Sequence, residues 1–284
     1  MTNQNLELPL FGGTKPKVVY SQKMLTNIVN EQDDQPDRGR GGEEYLHASS
    51  LLNFCGRRDK LTKDASEPIA SYPRSADRVV WAIGRACEAH IRKQIQKGIG
   101  RENIFASWRC VCQETRVEGL WEMKICEHCK KPCNTFHEIP VWDHDLKIVG
   151  NPDILLMDNG KLRVVEIKSI NKKEFDLLES AKPDHITQAN IYQRMLVNEG
   201  FPVHHTSIVF YCSKDYGWQN PYKEYHVTSE QSAILLDGIF ASVRSYRYPE
   251  WTGEKLPARL TNCTHSASPM AKKCPQASRC FSYL

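Results

Sequence analysis

Apolar positions are sparse and without period through residue 45, where the chain runs into Asp37-Arg-Gly-Arg-Gly-Gly-Glu. This pattern predicts a mobile tail over 1–45, with at most a short docked piece around 8–20. Regular spacing begins at 47–55, which reads as a helix with Ser49 or Ser50 as N-cap. A second helix is predicted over 75–96. Val79, Val80, Ile83, Ala86, Cys87, His90 and Ile91 recur there at helical spacing, and Gly98 and Gly100 mark its end. Strands are predicted at 104–112, 136–142, 147–157 and 162–169. A helix over 183–198 follows, with Pro183 in its first turn and Gly200 as its C-terminal cap. Strands at 206–213 and 222–227 come next. Thr228-Ser-Glu-Gln231 has capping-box spacing and opens a helix to about 246. The stretch 249–284 is irregular. Helices, then a run of strands, then strands mixed with helices predict an α/β protein with a central mixed β-sheet flanked by helices.

Charge narrows this picture little. Lys and Arg number 38 against 34 Asp and Glu, a net of +4, which permits a nucleic-acid partner without demanding one. The N-terminus shows no basic region followed by an apolar one, and the longest apolar runs are far too short to span a bilayer. A soluble cytoplasmic protein, not a membrane one, is expected. Eleven cysteines change the picture more. An odd number in a reducing compartment points to metal ligation over disulfides.

The segment 150–169 is the most informative. Asn159-Gly160 is a type I′ hairpin signal. With these two residues as the loop, Asp158 faces Lys161, Asp153 faces Glu166 and Asn151 faces Lys168. Directly opposed side chains have Cβ atoms about 5 Å apart, and two carboxylates so close repel unless a cation lies between them. Leu155, Met157, Leu162 and Val164 continue the face of the two acids; Pro152, Ile154, Leu156, Val165 and Ile167 form the other. A hairpin apolar on both faces belongs in the middle of a covered sheet, where unpartnered charge is costly.

Pro152-Asp153, twelve intervening residues and then Glu166-Ile167-Lys168 resemble the PD-(D/E)XK nuclease signature. Gln188-Ala-Asn-Ile-Tyr192 is similar to the helix that follows the core in RecB-type members. Gly84-Arg-Ala-Cys-Glu-Ala-His90 resembles that branch's metal-binding helix, and Ser50-Leu-Leu-Asn-Phe-Cys55-Gly-Arg-Arg58 its N-terminal segment. The likeness runs in order from about residue 47 to the C-terminus, and its nearest form is the iron–sulfur exonucleases of CRISPR adaptation and their phage counterparts. It implies a restriction-endonuclease-like core. It further implies Mg²⁺ or Mn²⁺ held by His90, Asp153, Glu166 and the main-chain carbonyl of Ile167. Lys168 would orient water and stabilise charge on the phosphate, and Gln188 and Tyr192 would lie beside the site. Glu88 and Glu138 are acidic neighbours without an assigned role. The resemblance also implies a [4Fe–4S] cluster on Cys55, Cys263, Cys274 and Cys280. The gap of ten residues between Cys263 and Cys274 departs from the family pattern, so zinc stays open there.

A second cysteine group is read from spacing. Cys110-Val-Cys112 and Cys126-Glu-His-Cys129 are placed like the two halves of a zinc knuckle, with Cys133 as a substitute ligand. The knuckle is expected as an insertion over about 108–137, and the cluster segment over about 249–284, in one nuclease domain spanning 46–284. Cys87 and Cys212 read as core residues. The expected function is a metal-dependent exonuclease acting on single-stranded DNA ends in repair, recombination, replication or phage and CRISPR DNA processing, with protein partners in such a complex. The alternatives are a non-catalytic nucleic-acid-binding or assembly module and a site-specific endonuclease.

Overall fold

A computed structural model of the chain describes residues 45–63, 75–214, 221–247, 256, 259–260 and 263–282. The expected tail lies outside these residues save for Tyr45. Among them, seven strands form one mixed sheet: β2 (Ile104–Arg109), β3 (Arg116–Leu120), β4 (Thr135–His137), β7 (Ile154–Asp158), β8 (Lys161–Ile170), β9 (Thr206–Ser213) and β10 (Tyr222–Thr228). The order is β10-β9-β8-β7-β2-β3, with β4 also paired to β2. Only β8 and β9 run parallel. Their crossover carries α3 (Lys172–Asp176) and α4 (Pro183–Asn198), as a parallel pair requires. A small second sheet joins β1 (Leu46–His47), β6 (Ile148–Gly150) and β5 (Val141–Asp143).

The expected α/β class with a mixed sheet flanked by helices is therefore what the chain adopts. Two of the long predicted strands are each split in two. Pro140 separates β4 from β5, and Pro152 separates β6 from β7, because proline offers no ladder N–H. Each break moves the chain from one sheet to the other. The helix read at 47–55 is a two-residue strand followed by a 3₁₀ turn, Ala48–Asn53. Parallel pairing of Leu46 with Ile148 holds that segment extended. The helix itself, α1 (Gly56–Lys63), starts later. The capping box at Thr228 is formed by both of its bonds. It opens a short 3₁₀ turn that runs into α5 (Ala233–Arg247).

Two cores sandwich the large sheet. On one face α4, α5 and the Ala48–Asn53 turn cover Leu155, Leu162, Val164, Val209 and Tyr211. On the other α2 (Ser75–Ile99) covers Ile104, Trp108, Ile154, Val165 and Ile167 through Cys87 and Ile91. Cys87 and Cys212 are both buried in this second core. The tail after residue 263 contains two short helices, α6 (Pro269–Lys272) and α7 (Ala277–Ser282), which were not predicted. Among the described residues no helix is long and apolar enough to cross a membrane.

Candidate active site and metal centres

The hairpin of β7 and β8 turns through Asn159 and Gly160, both at positive φ of 50° and 75°. Ile154 pairs with Val165 and Asp158 with Lys161, the register that the two-residue turn dictates. Asp153 sits one residue before β7 and is thereby carried opposite Glu166. Asp153 Oδ2 accepts a hydrogen bond from the backbone N–H of Ile167 (2.6 Å). Glu166 is 2% exposed, and Lys168 Nζ lies 2.5 Å from its Oε1. Its other oxygen, Oε2, is buried without a hydrogen-bond partner. Buried carboxylate oxygens are rarely left so.

Glu88, Glu138 and Asp153 bring carboxylate oxygens within 4.8 Å of one another. His90 is not in this group. The packing of α2 decides that. Cys87 and Ile91 face the sheet, and a Cβ on Gly84 would lie 3.3 Å from Ser169 Oγ. Residues two apart on a helix diverge by about 200°, so with Glu88 turned to Asp153 the exposed His90 points away. Val79, Val80 and Ile83, which gave α2 its apparent apolar stripe, are 44–50% exposed. Arg92, one turn after Glu88, pairs with both Glu88 and Glu138 (2.8 Å to the latter). Its signal in the sequence was its spacing of four from Glu88. Glu138 carried only its nearness in sequence to the core strands; it lies between β4 and β5, where the chain passes from one sheet to the other.

Burial, with Asp153 beside it, pushes Glu166 up to about 8. Burial and Asp153 likewise push Glu88 up to about 7, and burial raises Asp153. Burial alone would lower Lys168, but Glu166 and Asp153 outweigh it and hold the ammonium above its ordinary value. These acids therefore favour the charged form of Lys168.

α4 completes one wall. His185, Gln188 and Tyr192 lie on one face at spacings of three and four. Gln188 Nε2 donates to Tyr192 Oη (3.4 Å), and burial raises Tyr192 well above the ordinary phenol, with Glu166 and Asp153 adding to it. Tyr192 is fixed from behind: a Cβ on Gly150 would come within 2.5 Å of its ring and 2.6 Å of Ala48 Cβ. His185 was missed in the sequence. Tyr211 Oη accepts the Lys182 N–H (2.8 Å) and lies 2.8 Å from His185 Nδ1. Burial and the nearby Lys168 push His185 down to about 4, so it is neutral.

Cys110, Cys112, Cys126 and Cys129 bring their sulfurs within 4.8 Å of one another. Cys110 and Cys112 occupy the turn between β2 and β3, with Sγ atoms 3.1 Å apart, and Cys112 lies 3.6 Å from Cys126. Four thiolates on one zinc stand roughly 3.8 Å apart, given a Zn–S length of about 2.3 Å. Gln113 and Lys130 take positive φ where each knuckle turns back. The Cys129 N–H and the Thr115 hydroxyl pull Cys126 down to about 6, while the bond to Cys110 pushes Cys112 up to about 12. Cys133 stays outside the four, buried, with Sγ 3.9 Å from Thr115 O.

Cys55, Cys263 and Cys274 line a cavity of about 550 Å³ together with Arg58 and Lys273. Cys280, on α7, receives Arg57 Nε on its Sγ (3.2 Å). No three of these four sulfurs form a mutual group within 4.8 Å, a wider spacing than one zinc ion takes.

No family model matches the chain. No curated protein matches it. Among solved structures it is similar to an alkaline exonuclease from Laribacter hongkongensis, at 14% identity and a TM-score of 0.37, over 72% of this chain and 86% of that one. A likeness that slight carries no functional argument, which must come from the residues themselves.

Proposed function

We propose that the chain is a metal-dependent DNA nuclease of the PD-(D/E)XK kind, an exonuclease acting on single-stranded ends. The observation that carries this reading is the pair of half-buried Asp153 and buried Glu166, with Lys168 beside it and Glu88 and Glu138 closing on Asp153. A cluster of acids that repel one another, one with a buried orphan oxygen, fits a missing cation better than it fits a structural role.

Asp153, Glu166 and Glu88 would hold Mg²⁺ or Mn²⁺, Glu88 taking the place read for His90. Strand residues direct N–H and C=O to the same side, so the Ile167 carbonyl points with its N–H toward the Asp153 edge and adds a fourth oxygen. Hard oxygen donors suit these ions. Such an ion supplies charge neutralisation at the scissile phosphate and an acidified water. The chain's own groups do the rest. Lys168, held toward its charged form by the neighbouring acids, would stabilise negative charge developing on the phosphate oxygens. Gln188 and Tyr192, bonded to each other, would wall the site from the α4 side, Tyr192 beside Glu166 and Asp153. Neutral His185 lies on the same face of α4.

Zinc on Cys110, Cys112, Cys126 and Cys129 and a [4Fe–4S] cluster on Cys55, Cys263, Cys274 and Cys280 are proposed as structural centres. The Arg57 guanidinium donates to the sulfur of Cys280 and the Arg58 backbone N–H to that of Cys55, which suits thiolates. The cluster would tie the C-terminal segment to α1. Anaerobically purified protein should be brown and contain iron and zinc; a colourless preparation with two zinc equivalents overturns the cluster.

The test of the nuclease is Asp153→Ala combined with Glu166→Ala. It should abolish Mn²⁺-dependent degradation of linear single-stranded DNA while the protein keeps its zinc. Cleavage that survives the double substitution overturns the reading, and rapid cutting of circular strands overturns its exonuclease part.

A further inference from the structure

A cavity of about 690 Å³ lies beyond the carboxylates, between β2–β3, β5 and the C-terminal end of α4. Glu138 and Asn151 line it. Glu138 also belongs to the carboxylate group, so the cavity begins where that group ends. Phe105, Trp142 and Phe201 give it apolar walls, and Arg109 and Arg116 line it as well.

These two arginines are direct cross-strand partners in β2 and β3. Like charges placed opposite each other destabilise a sheet. The knuckle enforces the arrangement, because Cys110 follows Arg109, Thr115 precedes Arg116, and the Cys110 N–H donates to Thr115 O (3.2 Å). Arg116 is offset by an ion pair with Glu118. Arg109 keeps a buried Nε with no hydrogen-bond partner. The other acids of the lining are engaged elsewhere: Glu138 with Arg92 (2.8 Å), and Glu199 with the His144 N–H (3.4 Å). A half-buried arginine with an unpartnered Nε, set opposite a second arginine, offers a cationic edge to an anion.

We propose that this cavity seats the terminal nucleotide of a DNA strand, with Arg109 taking its terminal phosphate and the aromatic walls its base and sugar. The proposal rests on the nuclease reading and deepens it. A strand whose end fills the cavity lays its next phosphodiester against Glu138 and Asp153. The volume lies within the range of small-ligand pockets and suits a nucleotide or two. The knuckle acquires a purpose as the clamp that holds Arg109 and Arg116 in register.

The test is equilibrium binding by the full-length protein, with Ca²⁺ in place of Mg²⁺ so that no strand is cut. The probes are short single-stranded oligodeoxynucleotides of one sequence with an internal dye. They carry phosphate or hydroxyl at the 5′ end, phosphate or hydroxyl at the 3′ end, or are circular. The wild type should bind one terminally phosphorylated form about tenfold or more tighter than its hydroxyl counterpart and than the circle. Arg109→Gln should erase that preference and Arg109→Lys keep part of it, both with unchanged zinc content. Equal affinity of the wild type for every form overturns the proposal, as does a preference that survives in Arg109→Gln. Because binding is read without turnover, a protein that prefers phosphorylated ends yet never cuts with Mn²⁺ refutes the nuclease and leaves the pocket standing. One that cuts but does not discriminate ends refutes the pocket alone.

Discussion

Asp153 Oδ2 lies 2.6 Å from the amide nitrogen of Ile167. β7 begins only at Ile154, so the acid caps an N–H of β8 that has no strand partner on that side. Asp153 is therefore both a charge and a structural cap. Asp153→Asn can still accept the bond and should keep its stability to within about 1 kcal/mol. Asp153→Ala leaves the Ile167 N–H unsatisfied and should cost about 1–3 kcal/mol. Both should lower cleavage by at least about a hundredfold. Denaturant melts beside single-turnover rates separate the two roles; equal stability of the two variants contradicts the capping role.

The helix α2 offers a direct choice between two residues. Glu88 stands with Glu138 and Asp153, whereas His90 is exposed. Glu88→Gln should cut the metal-dependent rate by about tenfold to a hundredfold, and His90→Ala should leave it within about twofold. The reverse pattern would restore His90 as the ligand.

Glu88 at about 7 and Glu166 at about 8 both lie above an ordinary carboxylate. In the window between the ordinary value and these, the folded protein holds more protons than the unfolded one, so stability falls as pH rises through about 7 to 8. On the proposed reading a divalent cation would bind the ionised carboxylates and reverse the trend. The melting temperature without added divalent cation should therefore drop between about pH 6 and pH 8.5, and Mn²⁺ should raise it more at the higher pH. Glu166→Gln should flatten the first trend. A stability that rises through this window contradicts the assigned shifts.

The four knuckle sulfurs and the separate Cys133 make distinct predictions. Cys126→Ser should release one zinc equivalent and loosen the turns that carry Arg109 and Arg116. Cys133→Ser should keep its zinc, since that thiol lies outside the four. Elemental analysis of both variants is sufficient.

Gly150 supports Tyr192 through the absence of a side chain. A Cβ there meets both the tyrosine ring and Ala48 well inside contact distance. Gly150→Ala should cost about 1–3 kcal/mol and lower the cleavage rate by displacing Tyr192. A stable, fully active variant would mean that the small sheet can shift away from α4.

The sequence by itself determined whatever depends on positions close along the chain. The Asn159-Gly160 turn fixes a register, and that register alone sets Asp153 against Glu166. The spacing within each cysteine pair sets two tight turns, and Gln188 and Tyr192 share a face because a helix has one period. Tertiary structure decided the rest. The rotation of α2 about its axis is set by packing of Cys87, Ile91 and Gly84 on the sheet. Helical spacing fixes where residues lie relative to one another on α2 but not which of them faces β7, so it could not show that Glu88 stands with Glu138 and Asp153 while His90 is exposed. Glu138, Arg92 and the cavity beside Arg109 arise where two sheets and a helix end converge. Contacts between elements far apart in sequence have no local period to announce them.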